Sequence, residues 1–446
     1  MVRLACWDPL AVAAGAGRVK PENRQYGQGF NPISPISMLF PKNLRQFELL
    51  IILRFQDFFE QFTPCRARVG RLEIGNRVVW QQAAGDTDRD YSQYCVRWGV
   101  ILNGPGEEGP WPACEKPLRE KNWSSKKITD LKRFAEEMKN DDIVVLRLGT
   151  AKVLAVGEIV GDYFHDEQFS DVDGWTLQHV RRVRWLWHDL NSPKEFKTYA
   201  LKQGDTTQKL NKGKVFDWLQ GLPINPANFV APLPQLPSSA VGANISLEEI
   251  SDFLFDKGVA SSSISSLLTE IGELIRIAKW YNRAVLAQES MKAQEGASDQ
   301  KDSQTSENET VTYLVVPLLR ALGWTPQRMA VEWKRVDVAL FTQLPRGDKN
   351  LQVVVEAKKM GNSCLAAKSQ ANSYAVGKPG CHRLIVTDGL RYGIFTKDNE
   401  GDFKIYAYLN LTDMKRHYPI LECHGAAEAL LSMSPEWRLD QMRPIS

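Results

Sequence analysis

The sequence predicts a multidomain protein of mixed α+β and α/β class: a small mixed β domain, a helical linker and a C-terminal α/β domain. Three observations predict it. Strand-like runs crowd between Arg71 and Trp187, five prolines fall between Leu222 and Pro237, and after Ser306 one helical stripe gives way to alternating strands and helices. The length of 446 residues is also what two or three domains of about 150 residues would need.

Composition removes several classes. Hydrophobic residues make up 43% and charged residues 24%, which is enough apolar chain for packed cores. A net charge of +3 excludes a histone-like or tail-type binder while leaving room for local basic patches. The seven cysteines form no CxxC pair, so neither a disulfide framework nor a zinc knuckle is indicated. No apolar run approaches the ~18 residues of a membrane span, and Ala11–Ala14 is too short for a signal peptide. The expectation is a cytoplasmic protein with no membrane partner.

Taken in order, residues 1–67 are an uncertain segment whose one apolar-rich run, Phe47–Phe62, reads as a helix. Residues 68–222 form the β domain. Its expected strands are Arg71–Trp80, Tyr94–Leu102, Ile143–Leu148, Lys152–Val160 (apolar at nearly every position, so covered on both faces) and His179–Trp187. Between them, Ile128, Leu131, Phe134, Ala135 and Met138 recur at helical spacing. Residues 223–245 are a stiff Pro-rich linker. Residues 246–290 are helical: Ser246 and Glu249 form a capping box, and the stripe Ile264, Leu267, Leu268, Ile271, Leu274, Ile275, Ala278 packs either as a hairpin or as a dimer contact. The polar stretch 291–305 is a flexible linker. Residues 306–446 open with a helix on Val311, Leu314, Val315, Leu318, Leu319 and Leu322, stopped by Gly323. Strands Val331–Thr342 and Leu351–Lys358, a helix near Leu365–Tyr374 and a strand Leu384–Thr387 follow.

The chemistry concentrates in Arg335-Val-Asp337-Val and Val353-Val-Val-Glu356-Ala-Lys358. Alternation puts Glu356 and Lys358 on one face and Val353, Val355 and Ala357 on the other. A hairpin symmetric about Arg346–Gly347 sets Asp337 directly opposite Glu356. Two acids and a lysine then converge, which is what a hard divalent cation with several retained waters requires. The competing reading is surface decoration, but the Val353–Val355 run is a buried strand on which an unpaired charge is costly.

This order of helix, Asp strand, E-x-K strand, helix and strand resembles the PD-(D/E)xK nuclease superfamily. Glu307-Asn-Glu-Thr310 followed by Leu314-Val-Val-Pro-Leu-Leu-Arg-Ala-Leu-Gly-Trp324 resembles the N-terminal nuclease domain of type I restriction R subunits. The resemblance implies Asp337 and Glu356 as ligands of Mg²⁺, with Mn²⁺ as a substitute, and Lys358 as the group that orients or activates water. It also implies an acid on the first helix (Glu307, with Glu309 as fallback) and a Gln370/Tyr374 pair beside the DNA backbone. The sequence departs from the family in having Val336 where a proline is usual, and Pro317 inside the first helix predicts a kink. No P-loop is present, so no NTP is expected.

Seven of the thirteen tryptophans fall between Trp80 and Trp187, interleaved with Lys116, Arg119, Lys121, Lys126, Lys127, Lys132, Arg133, Arg181, Arg182 and Arg184. Aromatic faces stack bases and cations hold phosphates, although each tryptophan taken singly is more often core. Asp141–Gly149, Val153–Gly161, Phe169-Ser-Asp-Val-Asp-Gly-Trp175 and His179–Trp185 resemble the EVE-like branch of the PUA superfamily, a small β-barrel fold. Its relatives, YTH domains included, hold a modified base in an aromatic cage, which implies a base pocket here. The residues expected to line it are Trp98, Asn103, Trp111, Trp123 and Trp175, while Trp185 and Trp187 share a face with Val183 and belong to the core.

Together the two resemblances imply a type IV-like, modification-dependent restriction endonuclease in antiphage defence. It would read a modified cytosine in DNA and cut nearby, with the linkers setting its reach and the amphipathic helices allowing a homodimer. The alternatives are a non-cleaving reader of modified DNA or RNA, and an RNA-directed enzyme.

Overall fold

The computed structural model describes residues 70–86, 89–202, 204–237, 244–295 and 306–438, with backbone alone for 282–295. The expected Phe47–Phe62 helix lies outside the described residues. The described residues all belong to one compact unit. It is a mixed α+β structure built on two large curled sheets, part of which makes a half-barrel.

The first sheet runs, edge to edge, Val100–Asn103, His179–His188, Lys152–Ile159, Ile143–Leu148, Val79–Ala83 and Thr207–Lys209. Only the Val79–Ala83 and Ile143–Leu148 neighbours are parallel. Both faces are buried. Val144, Leu146, Leu154 and Ile159 join one core, and Ile143, Val145, Val153 and Val156 another. This accounts for strands that read as nearly continuous apolar runs.

Several local expectations fail for identifiable reasons. Tyr94–Leu102 divides into a helix, Ser92–Trp98, and a strand, Val100–Asn103. The divider is Gly99, whose φ of 58° caps the helix in the left-handed region that glycine favours. Arg71–Trp80 is not one strand either: Gly70–Arg71 pairs with Pro223–Ile224, and the long strand starts at Val79. Trp185 and Trp187 do not share a face. A bulge opposite Val156/Gly157 inserts Leu186 between them, so Trp185 packs on one core and Trp187 on the other. The Pro-rich segment does not hang free, because Arg184 donates to Ala231 O, Asn228 to Leu186 O and Gln168 to Pro237 O.

The capping box at Ser246/Glu249 opens the helix Leu247–Asp256 as its sequence requires. The next helix runs Ser261–Glu295, extending into the stretch expected to be a flexible linker. Its stripe is buried within the chain: Ile264, Leu267, Ile271, Leu274 and Ala278 share one core with Leu314, Leu318, Val353, Val355 and Leu430. The hairpin-or-dimer question is thus answered by intrachain packing against the α/β region.

The second sheet has the order Met329–Trp333, Val336–Phe341, Leu351–Ala357, Arg383–Thr387, Arg391–Lys397, Phe403–Asn410, Cys423–His424 and His417–Tyr418. The expected single strand Val331–Thr342 is a hairpin, turned at Lys334 and Arg335 with φ of 50° and 74°. Helices cover both sides. The opening helix is Glu307–Thr310, then a π segment Val311–Val315, then Val316–Ala321. The wide turn sits just ahead of Pro317, which has no N–H to give, and realises the expected irregularity. Gly323, at φ 105°, ends it.

Candidate active site and base pocket

Register places the acids. Val338 pairs with Val355, Ala339 with Val354 and Leu340 with Val353, and a bulge lies only on the turn side, between Leu340 and Phe341. Continuing the undisturbed register one step sets Asp337 opposite Glu356. Parity then sorts the side chains. Val353, Val355 and Ala357 enter the core under the long helices, whereas Val354, and therefore Glu356, faces the helix Lys368–Ala375.

Around Glu356 the predicted residues come together. Lys358 Nζ lies 3.6 Å from Glu356 Oε1 and 3.8 Å from Glu307 Oε1, and donates to Gln370 Oε1 at 3.0 Å. Gln370 Nε2 in turn donates to Tyr374 Oη at 3.3 Å. Asp337 Oδ2 accepts from Ala357 N at 2.7 Å, which ties the acid to the adjacent strand. Glu309, the fallback, is committed elsewhere: its carboxylate accepts from Ser306 N at 2.7 Å as half of a capping box, leaving Glu307 toward Lys358.

The electrostatics are unbalanced in a useful way. Burial, then the Asp337 charge, pushes the Glu356 carboxyl up to about 7 despite Lys358. Burial also raises Asp337, with Glu307 adding to the effect. Glu356 is 1% exposed and its Oε2 is buried with no hydrogen-bond partner. A buried, unpaired carboxylate oxygen beside a second acid is a site that a hard cation would satisfy. Among the described residues, however, no group of three or more His, Cys, Asp or Glu side chains is arranged to hold a metal ion. Asp337 and Glu356, with open positions for water, are the donor set such an ion would find here.

The second site is a cavity of about 370 Å³ in the β domain. Asn103, Trp123 and Trp175 line it, with Tyr91, Lys127 and Thr206. Trp123 is 44% exposed at the mouth. Trp175 stands edge-on to Tyr91, ring centroids 5.8 Å apart, with the Arg89 guanidinium 4.6 Å from its ring centroid. The polar floor is held rigidly: Lys127 Nζ donates to Asn103 Oδ1 at 2.8 Å and to Thr206 Oγ1 at 3.1 Å, and pairs with buried Asp130 at 3.3 Å. Burial lowers the Lys127 pKa, and Asp130 opposes that shift.

Residues 80–209 match a family model described as a domain of unknown function (DUF8426). Every residue lining the cavity falls inside that stretch, and the carboxylate cluster lies outside it. No curated protein and no solved structure matches the chain.

Two expected pocket residues are elsewhere. Trp111 is 8% exposed in a small core with Leu118 and Leu131, its indole N–H donating to Glu136 at 2.7 Å. Trp98 donates to Ile420 O at 3.1 Å, tying the β domain to the α/β region. The interleaved cations are also largely committed. Lys116, Arg119, Lys121, Lys126, Lys132 and Arg133 pair with acids of their own domain, while Arg181 is buried on the carbonyls of Phe134 and Ala135. What sequence reasoning missed is Arg89 and Tyr91, just ahead of the helix Ser92–Trp98, and Asp130, inside the helix Ser125–Lys132; none of them carries a motif. Among the described residues no helix is long and apolar enough to cross a membrane.

Proposed function

We propose that the chain is a modification-dependent, type IV-like restriction endonuclease that hydrolyses DNA phosphodiester bonds after reading a modified base, its targets being modified cytosines of phage DNA in the cytoplasm. The observation that carries the reading is the meeting of Asp337, Glu356, Lys358 and Gln370 around a buried, unpartnered carboxylate oxygen. Perturbed acids with a lysine ammonium 3.6 Å away are the makings of a hydrolytic site.

Asp337 and Glu356 would hold Mg²⁺, with Glu307 at the margin. The bound ion would supply a more acidic water and offset phosphate charge. Lys358, held by Gln370 between two acids, would offer its ammonium to the attacking water and the phosphate oxygens. The aromatic cavity, with a polar floor and volume in the range of small-ligand sites, would receive the flipped base.

The test is digestion of one plasmid prepared unmodified, 5-methylated, 5-hydroxymethylated and glucosylated at cytosine, with Mg²⁺ and with EDTA. Metal-dependent cutting of one modified form is the expected result. A second reading, a reader that binds without cutting, rests on the aromatic cavity alone. It predicts selective binding and no cleavage of any form. Within the pocket, Trp123→Ala should lower the affinity for modified over unmodified duplex by roughly tenfold, the value of one base–aromatic stack. Equal preference in competition binding would remove Trp123 from the cage.

A further inference from the structure

The cavity and the carboxylate cluster are joined by a short run of chain. The segment from Lys358 to Leu365 begins at the lysine of the site and enters the helix that carries Gln370. Met360 N donates to Thr310 Oγ1 at 3.2 Å, on the helix that Glu307 opens. One loop therefore touches the elements bearing Glu307, Lys358 and Gln370.

The same loop is gripped by two residues that back the cavity without lining it, Arg89 behind Trp175 and Asp173 next to Gly174. Arg89 lies over the Trp175 ring and donates from Nη2 to Gly361 O at 3.1 Å. Asp173, two residues before Trp175, accepts from Ser363 Oγ, from Cys364 Sγ at 3.4 Å and from Leu365 N at 3.3 Å. Asp171 accepts from Asn410 Nδ2 at 2.7 Å and Tyr408 Oη at 3.3 Å, and Arg391 stands 3.8 Å away. Arg89, Asp171 and Asp173 are all buried. Buried charges are weak glue compared with apolar packing, but they fix one arrangement against others. Domains that needed only to stay attached would not require them.

We infer that Arg89 and Asp173 are positioning residues that carry the state of the base pocket into the Lys358–Leu365 loop, so that a base seated against Trp175 sets the alignment of Lys358 and Gln370. This rests on the proposed reader–nuclease function and deepens it. In place of a cutter merely held near its target by linkers, occupancy of the pocket raises the turnover of the site itself. Coupling of this kind between two sites usually amounts to about a fivefold to hundredfold effect.

The test separates coupling from tethering by filling the pocket in trans. Short duplexes of about one helical turn, each carrying a single 5-methylcytosine, 5-hydroxymethylcytosine or glucosylated hydroxymethylcytosine, are added to the full chain with an unmodified plasmid and Mg²⁺. The duplex that binds, read by fluorescence anisotropy, should speed plasmid cutting about tenfold. Ser363→Ala, which touches neither site, should keep duplex binding and the unstimulated rate but lose most of the stimulation. Asp173→Asn, which keeps the shape of the side chain, should do the same if Ser363→Ala lowers folding stability. A duplex that binds without changing the rate, while a plasmid modified in cis is cut, overturns the coupling and leaves the parent function standing. Full stimulation in both variants overturns the assignment to Asp173. Absence of both selective binding and cutting overturns the parent function, and the coupling with it.

Discussion

Asp337→Asn and Lys358→Ala should each reduce Mg²⁺-dependent cleavage by roughly a thousandfold, the scale of removing one preorganised charge from a transition state, while leaving affinity for modified duplex within about twofold. The choice of asparagine matters. Asp337 Oδ2 accepts from Ala357 N, and alanine would leave a part-buried N–H unpaired at a cost of about 1–3 kcal/mol. Asparagine keeps an acceptor and removes the charge, so a loss of cutting cannot be attributed to a loosened strand. Lys358 reports on a different part of the site, since its ammonium bridges Glu356, Glu307 and Gln370. Single-turnover cleavage alongside competition binding checks both variants. Wild-type cleavage by either one would remove that residue from the chemistry, and cleavage retained by both would leave a reader with no nuclease site.

The sequence carried the carboxylate hairpin well because everything needed is local. Strand parity, a turn at Arg346–Gly347 and two short motifs fix which side chains face each other, and the register from Val338 to Leu340 follows that symmetry. Lys358 and Gln370 meet across a loop that parity does not describe; the family resemblance set Gln370 with Tyr374 beside the DNA backbone and did not foresee its contact with Lys358. The base pocket was harder. Asn103, Trp123 and Trp175 line it, yet Trp98 and Trp111, equally aromatic and equally flanked by cations, are used to join domains and to fill a core. Composition does not record which way an indole points. Gly99 shows the same limit at the level of elements: Tyr94-Cys-Val-Arg-Trp98 has strand-like residues, but the left-handed cap and packing around buried Cys95 make it helical. The junction was the least legible part, because Arg89, Asp171, Asp173 and Arg391 derive their meaning from partners far away in sequence.

Glu356 joins stability to chemistry, and the sign of the linkage gives a second large effect. Its folded pKa of about 7 lies above the ordinary 4.5, so the folded state holds the proton more tightly than the unfolded chain does. The stability this contributes is fully present below pH 4.5 and is lost as pH rises through about 7. With no metal added, the loss across that window should be of the order of 3 kcal/mol, from about 1.4 kcal/mol per pKa unit. Glu356→Gln, a neutral side chain of the same shape, should remove that loss. The variant should be more stable than the wild type at pH 8 by a similar amount, and inactive. Mg²⁺ at pH 8 should then raise the unfolding free energy of the wild type, by giving the bare carboxylate a partner, and leave the variant unmoved. Denaturant melts at pH 5 and pH 8, with and without MgCl₂, measure all four cases. A wild-type protein whose stability is flat across that window, and unaffected by Mg²⁺, would mean that Glu356 is neither proton-loaded nor a cation ligand, and the acid pair would then be a structural feature of the sheet.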